Sequence, residues 1–260
     1  MTRRTAIGAP FLALAQPPST PAAAPREFGF RPAQMSLWDT WHIEHAGQAH
    51  MFYLQRLAQG STRTPLEADT LGHAASRDLI HWTEKNLALG PGPAGGLDDM
   101  QPYTGCVVHH DGRFYLYYAM RSKADGGAGQ RIGLALSTDL DHWERYSANP
   151  VIEPDSRWYV SHRKPLPNGV VDCRDLVIIK DPSGDGWLGF YAARVPSDEL
   201  GDGAVIAAVH SKDLLHWEHL PPAFAPGKYA CIEVPDVYMV DGRWYMTCLT
   251  GLEYGKRAIL

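Results

Sequence analysis

Cysteine is scarce in this sequence, and Cys106, Cys173, Cys231 and Cys248 stand far apart with no C-x-x-C pair among them. That spacing excludes a zinc site of the usual kind and a dense disulfide framework. The four are read as small buried hydrophobes, with room for one disulfide whose partners the spacing does not name. No run of about eighteen apolar residues occurs, which excludes a membrane-spanning helix. Clustered Lys and Arg are missing outside the N-terminus and the formal net charge is −5, so nucleic acid finds no electrostatic footprint here. Helical stripes of any length are missing too. What remains suits a small or neutral substrate.

At 260 residues and 45% hydrophobic, the chain has enough apolar surface to bury a sizeable core. Its first 29 residues read differently from the rest. Arg3 and Arg4 precede a short apolar stretch, Ala6 to Ala15, and then a Pro/Ala-rich tail. This is the layout of a secretory signal and linker, and the arginine pair leans toward the twin-arginine type. The expected location is therefore outside the cell or in the periplasm, with a cytoplasmic protein carrying a disordered arm as the alternative.

From residue 30 to 260 the punctuation is that of an all-β protein, with short runs rich in Val, Ile, Tyr, Phe and Trp broken by Gly, Asp, Asn and Pro. "RFYLYYAM" and "RWYMTCL" each follow Asp-Gly, a tight-turn signal, while "GWLGFYAA" follows "PSGD" and "AHMFYLQRL" follows "HAGQ". A heptad recurs as "SRDLIHW" (Ser76 to Trp82), "STDLDHW" (Ser137 to Trp143) and "SKDLLHW" (Ser211 to Trp217). Its Ser and Asp can hold a tight turn, its Leu is expected to plug the blade core, and its Trp opens the outermost strand. The unit is hairpin, strand, turn, strand, which is the grammar of a β-propeller blade. Blades are expected over 32–90, 104–152 and 172–225, with a fourth opening at Ile232 and cut short. The expected fold is a five-bladed β-propeller type, truncated after the start of the fourth blade.

Each blade's first strand faces the propeller axis, and three of these strands carry a carboxylate in an apolar run. "SLWDTWHI" holds Asp39, "DCRDLVII" holds Asp175 after Arg174, and "CIEVPDVY" holds Glu233. Carboxylates at equivalent blade openings point to glycoside hydrolysis, which needs a proton donor on one side of the scissile bond and a carboxylate on the other. Glu233, between Ile232 and Val234, reads as the more desolvated group and the acid. Asp39 reads as the nucleophile or base, and Asp175, beside Arg174, as an ionised group for sugar hydroxyls or developing positive charge. Trp38 and Trp41 offer flat surfaces for a sugar ring.

"GHAASRDLIHWTE", "AHMFYLQ", "TGCVVHHDGRFYLYYA", "CRD" and "IEVPDVY" together resemble the five-bladed propeller of glycoside hydrolase family 32, which is related to families 68 and 43 and includes invertases, levanases and inulinases. The resemblance implies that Asp39 is the nucleophile, Asp175 the transition-state stabiliser and Glu233 the acid/base. Arg174, Gln55 and Thr104, which lie in the segments that carry it, join Trp38 and Trp41 as candidate substrate contacts. The chain departs from the family's W-M-N-D-P-N-G around the nucleophile by writing "SLWDTWH", and has Leu176 and Val234 where the family writes Pro and Cys.

The sequence thus reads as a retaining glycosidase acting on a fructoside or related furanoside, with an oligo- or polysaccharide as its partner. Two alternatives stay open, a family 43-like inverting enzyme for arabinan or xylan and a non-catalytic sugar-binding propeller. No metal or other cofactor is expected, since the mechanism needs none, and among the twelve histidines His81, His142 and His216 belong to the recurring turn.

Overall fold

A computed structural model of the chain describes residues 29–61, 70–162, 169–196, 202–250 and the backbone of 258–259. Residues 1–28, where the export signal is expected, lie outside them. Fifteen strands form four antiparallel sheets among the described residues. The first sheet is β1 (Met35–His45), β2 (Gln48–Leu57), β3 (Thr70–Ser76) and β4 (Trp82–Glu84), paired in that order. The second repeats the order with β5 (Tyr103–His110), β6 (Arg113–Met120), β7 (Arg131–Ser137) and β8 (Glu144–Arg145). The third does so with β9 (Arg174–Lys180), β10 (Trp187–Arg194), β11 (Ala204–Ser211) and β12 (Glu218–Phe224). The fourth holds β13 (Ile232–Val240), β14 (Arg243–Thr250) and β15 (Ala258–Ile259).

The hairpins form where the turn chemistry predicts. Ala46-Gly47, Asp111-Gly112 and Asp241-Gly242 all have positive φ at both residues, the geometry whose twist matches that of paired strands. The middle strands are covered on both faces: β6, between neighbouring sheets, is buried from Phe114 to Met120, and β3 is buried throughout, its sheet's outer face covered by Phe30, Leu37 and Trp82. Three apolar seams hold the array. Phe52, Leu54, Leu71, Phe114, Leu116 and Tyr118 join the first two sheets, Tyr117, Leu134, Tyr191, Val205 and Val209 the second and third, and Ile206, Ile232 and Cys248 the third and fourth.

The recurring heptad is a hydrogen-bonded turn. Ser137 Oγ accepts from the amides of Asp139 (3.1 Å) and Leu140 (3.0 Å), and Asp139 Oδ1 accepts from those of Asp141 and His142 (2.9 Å each). Asp139 Oδ2 pairs with His142 Nδ1 at 2.8 Å, and Trp143 Nε1 donates to the Leu140 carbonyl. The other two copies repeat this Ser, Asp and His pattern. The His is thus a turn residue, and its bonds to Asp139 hold that carboxylate well below its ordinary range.

The leucine corrects the sequence reading. It sits at positive φ in all three copies, and Leu140 and Leu214 are buried not in their own sheets but in the seam with the preceding one. The heptad tryptophans follow, with Trp143 edge-on to Phe52 and Trp217 edge-on to Tyr117. The second and third turns are thus plugs inserted into the sheet before their own. Leu79, in the first sheet, is 68% exposed for the same reason.

Candidate active site

The inner strands β1, β5, β9 and β13 each break register once near their start. Pairing skips Asp39 between Trp38 and Thr40, and skips Thr104 between Tyr103 and Gly105. The breaks in β9 and β13 fall between Arg174 and Val177 and between Glu233 and Asp236. Such β-bulges re-aim side chains at barrel rims and active sites. Asp39, Asp175 and Val234 have φ of 41°, 59° and 50°, a left-handed backbone that costs a non-glycine residue about 1–3 kcal/mol. By this geometry Val234, not Glu233, matches Asp39 and Asp175. Glu233 stands one residue earlier, in register with Trp38, Tyr103 and Arg174, which corrects the expectation of three equivalent carboxylates. The offset sets Glu233 beside Arg174.

The bulges bring the three carboxylates together. Asp39, Asp175 and Glu233 line one cavity of about 190 Å³, with Trp38, Leu54, Tyr103, Thr104, Arg174 and Val234. Asp175 is the most enclosed, and three donors face it. The Thr104 hydroxyl donates to Oδ1, the Val234 amide donates to Oδ2 at 3.0 Å, and Arg174 Nε lies 3.5 Å from Oδ2. Burial nevertheless wins and pushes the Asp175 carboxyl above its ordinary range, against Arg174, Thr104 and Val234, with Glu233 adding to the upward push.

The side chain of Glu233 is 19% exposed and that of Asp175 is 5% exposed, so the more desolvated group is Asp175, contrary to the sequence reading. Of the apolar neighbours of Glu233, Ile232 turns away into the seam with the third sheet, while Val234 stays on the cavity side at the bulge.

Arg174 is the hub of the site. Nη1 reaches Asp172 Oδ1 at 2.6 Å and Gln130 Oε1 at 3.1 Å, while Nη2 reaches Glu233 Oε2 at 3.4 Å and Cys231 Sγ at 3.6 Å. Burial alone would weaken its hold on the proton, but Asp175 and Asp172 keep it firmly charged.

Two predicted substrate contacts are not part of the lining. Trp41 is buried in the first seam, stacked on Phe52 at 6.4 Å, because its strand position faces the next sheet and not the axis. Gln55 is 1% exposed and donates to Thr70 Oγ1. Trp38, Arg174 and Thr104 do line the cavity, although Thr104 is spent on Asp175 and Trp38 is covered by Arg56 at 4.5 Å. Tyr103 was missed, as were the hub partners Asp172 and Gln130. Tyr103 could have been found by setting the four inner strands in register, while Gln130 precedes β7 and carries no local signal. The four cysteines are free thiols. Among the described residues no three His, Cys, Asp or Glu side chains gather as a metal site.

Residues 41–253 match the sequence pattern of "Glycosyl hydrolases family 32 N-terminal domain". The chain belongs to glycosyl hydrolase family 32. This family 32 chain is 28% identical over 214 residues to a probable sucrose-6-phosphate hydrolase of Psychromonas ingrahamii, covering 76% of the chain and 34% of that relative. It is 28% identical over 198 residues to a levanbiose-producing levanase of Bacillus subtilis, covering 71% and 33%. The chain therefore spans about a third of the length of these relatives. Among solved structures, the fructofuranosidase of Schwanniomyces occidentalis complexed with fructose superposes with a TM-score of 0.65 at 17% identity, over 89% of this chain and 44% of that one. A thermostable family-43 glycoside hydrolase superposes with a TM-score of 0.62 at 18% identity, over 84% and 65%. These likenesses establish a propeller-like fold.

Proposed function

We propose that this family 32 chain carries the catalytic site of a hydrolase that cleaves a neutral fructoside or related furanoside. The observation that carries the proposal is the convergence of Asp39, Asp175 and Glu233 on one cavity, in a chain of this family. Its volume falls below the roughly 300–1,000 Å³ of drug-sized pockets, so it suits one sugar ring. Its described lining sets three carboxylates against Arg174, whose guanidinium is already engaged, and this favours a neutral sugar over a sugar phosphate.

In the proposed reaction Glu233 gives its proton to the glycosidic oxygen as that bond breaks, and Asp39 bonds to the anomeric carbon. Glu233 then takes a proton from water, whose oxygen displaces Asp39 and restores both carboxyl groups. Asp175, held by the Thr104 hydroxyl and the Val234 amide, contributes by its field and by holding the shape of the bulges.

The test is sugar release by the purified chain from sucrose, levan, inulin and arabinan, with sucrose 6-phosphate in parallel. Glu233→Gln is expected to lower kcat by about 10²–10⁴, and Asp39→Asn to abolish turnover. Full activity in Asp39→Asn would sink the assignment. NMR of the first-formed anomer decides between retention, as proposed, and inversion.

A second reading, a non-catalytic sugar-binding propeller, is favoured by one observation: the family match begins at residue 41, just beyond Asp39 and its altered flanks. Calorimetric binding of fructose without turnover would select it.

We further infer a five-bladed propeller, of which four sheets are described here. Exposed Leu79 and Ile80 at one end of the array, and exposed Tyr238 and Tyr245 at the other, support a further sheet between them. Export directed by the first 29 residues is likewise proposed. It is checked by locating the protein in fractionated cells with and without an Arg3→Lys, Arg4→Lys change.

A further inference from the structure

The shortest contact of Arg174 is to a residue that does not line the cavity. Asp172 Oδ1 lies 2.6 Å from Arg174 Nη1, against 3.4 Å for Glu233 and 3.5 Å for Asp175. The other oxygen, Asp172 Oδ2, faces Arg194 Nε at 3.3 Å. Arg194 is itself 8% exposed, and its Nη2 donates to the Ala230 carbonyl, one residue before Cys231 and three before Glu233. One carboxylate thus bridges two enclosed guanidinium groups, and the second of these reaches the segment that leads into β13.

An arginine side chain is long and has many rotamers, so its charge is useful at a site only if something outside the site holds it. Here the planar fork is divided. Nη1 points to Asp172 and Gln130, away from the carboxyl pair, while Nε and Nη2 point to Asp175 and Glu233. Anchoring one edge of a rigid plane determines where the other edge stands. Without the Asp172 charge, Arg174 and Arg194 would be two cations with no anion between them, and Arg174 would be drawn toward Glu233 and Asp175.

We propose that Asp172 is a positioning residue: by bridging Arg174 to Arg194 it sets where the Arg174 guanidinium stands between Asp175 and Glu233. This rests on the hydrolase reading for its effect on turnover, but the positioning has a signature of its own.

The test uses the whole chain and three variants, Asp172→Asn, Asp172→Glu and Arg174→Lys. The Arg174 Nε–H resonance, identified by its loss in Arg174→Lys, is expected to be sharp in the parent, shifted or broadened in Asp172→Asn and recovered in Asp172→Glu. In turnover, Asp172→Asn is expected to lower kcat about ten- to a hundredfold with little change in KM, as misplacement of a preorganised group does. An unchanged Nε–H resonance in Asp172→Asn would overturn the proposal whether or not the parent is active. Parent turnover, measured separately, decides the hydrolase reading. If Asp172→Asn fails to fold, Asp172→Glu decides alone: a sharp, parent-like Nε–H signal supports positioning, and a lost one overturns it.

Discussion

Thr104 replaces the carboxylate at the bulge of the second inner strand and spends its hydroxyl on the carboxylate of the third. Its removal has a predictable sign. Thr104 favours the ionised form of Asp175, whose carboxyl burial has already pushed up. A raised carboxyl pKa means that the folded state binds the proton more tightly than the unfolded state, so this group detracts from stability as pH rises through its titration. Thr104→Val pushes the carboxyl higher still and leaves a buried acceptor short of a donor, at a cost of about 1–3 kcal/mol. The gap between variant and parent is expected to be small in acid, where Asp175 is protonated in both, and to open toward neutral pH. Urea titrations across that series check it, and a gap independent of pH would contradict it.

The recurring turn is the element that ties the first three sheets together. Its Ser, Asp and His bonds are local, and so all three copies form alike, but its leucine acts on the preceding sheet and differs by position. Leu140 and Leu214 are 1% and 0% exposed, and truncation to Ala is expected to cost each about 2–5 kcal/mol through lost burial and a residual cavity. Leu79→Ala, at the same place in the motif but exposed, is expected to stay within about 0.5 kcal/mol. Denaturant melts of the three single variants separate a seam plug from a turn former. Equal losses would mean that the leucine works within its own turn.

Among the described residues the docking runs in one direction, the second and third turns each packing on the sheet before their own. The first sheet offers a turn with Leu79 and Ile80 uncovered, and the fourth offers Tyr238 stacked on Tyr245 at 6.1 Å, both exposed. Apolar surfaces of this kind mark a face made for contact. If a further sheet fills the space, a longer form of the protein that includes it is expected to melt higher than the 260-residue chain. Leu79→Ala, close to neutral in the shorter chain, is then expected to cost about 2–5 kcal/mol in the longer one, as its buried counterparts do. Calorimetric melts of both lengths, with and without the substitution, check this, and an equally neutral Leu79→Ala in the longer form would contradict it.

The repeat grammar, the hairpin turns and the three carboxylates that share one cavity, Asp39, Asp175 and Glu233, were legible in the sequence because they rest on local chemistry. Asp-Gly selects its turn, the Ser-x-Asp side chains bond amides two or three residues away, and carboxylates stand out in apolar strands. Which of those carboxylates is deepest was not legible: Glu233 has apolar sequence neighbours, yet Asp175 is the one that the neighbouring strands enclose. Nor was the one-residue offset of Glu233, which depends on where pairing slips between β13 and β14. Trp41 and Gln55 looked like contacts and lie outside the cavity lining, since the face a strand residue takes is settled by its register with the next strand. The link from Asp172 through Arg174 to Glu233 spans residues far apart in the chain, and only the packing of the third sheet on the fourth brings them within reach.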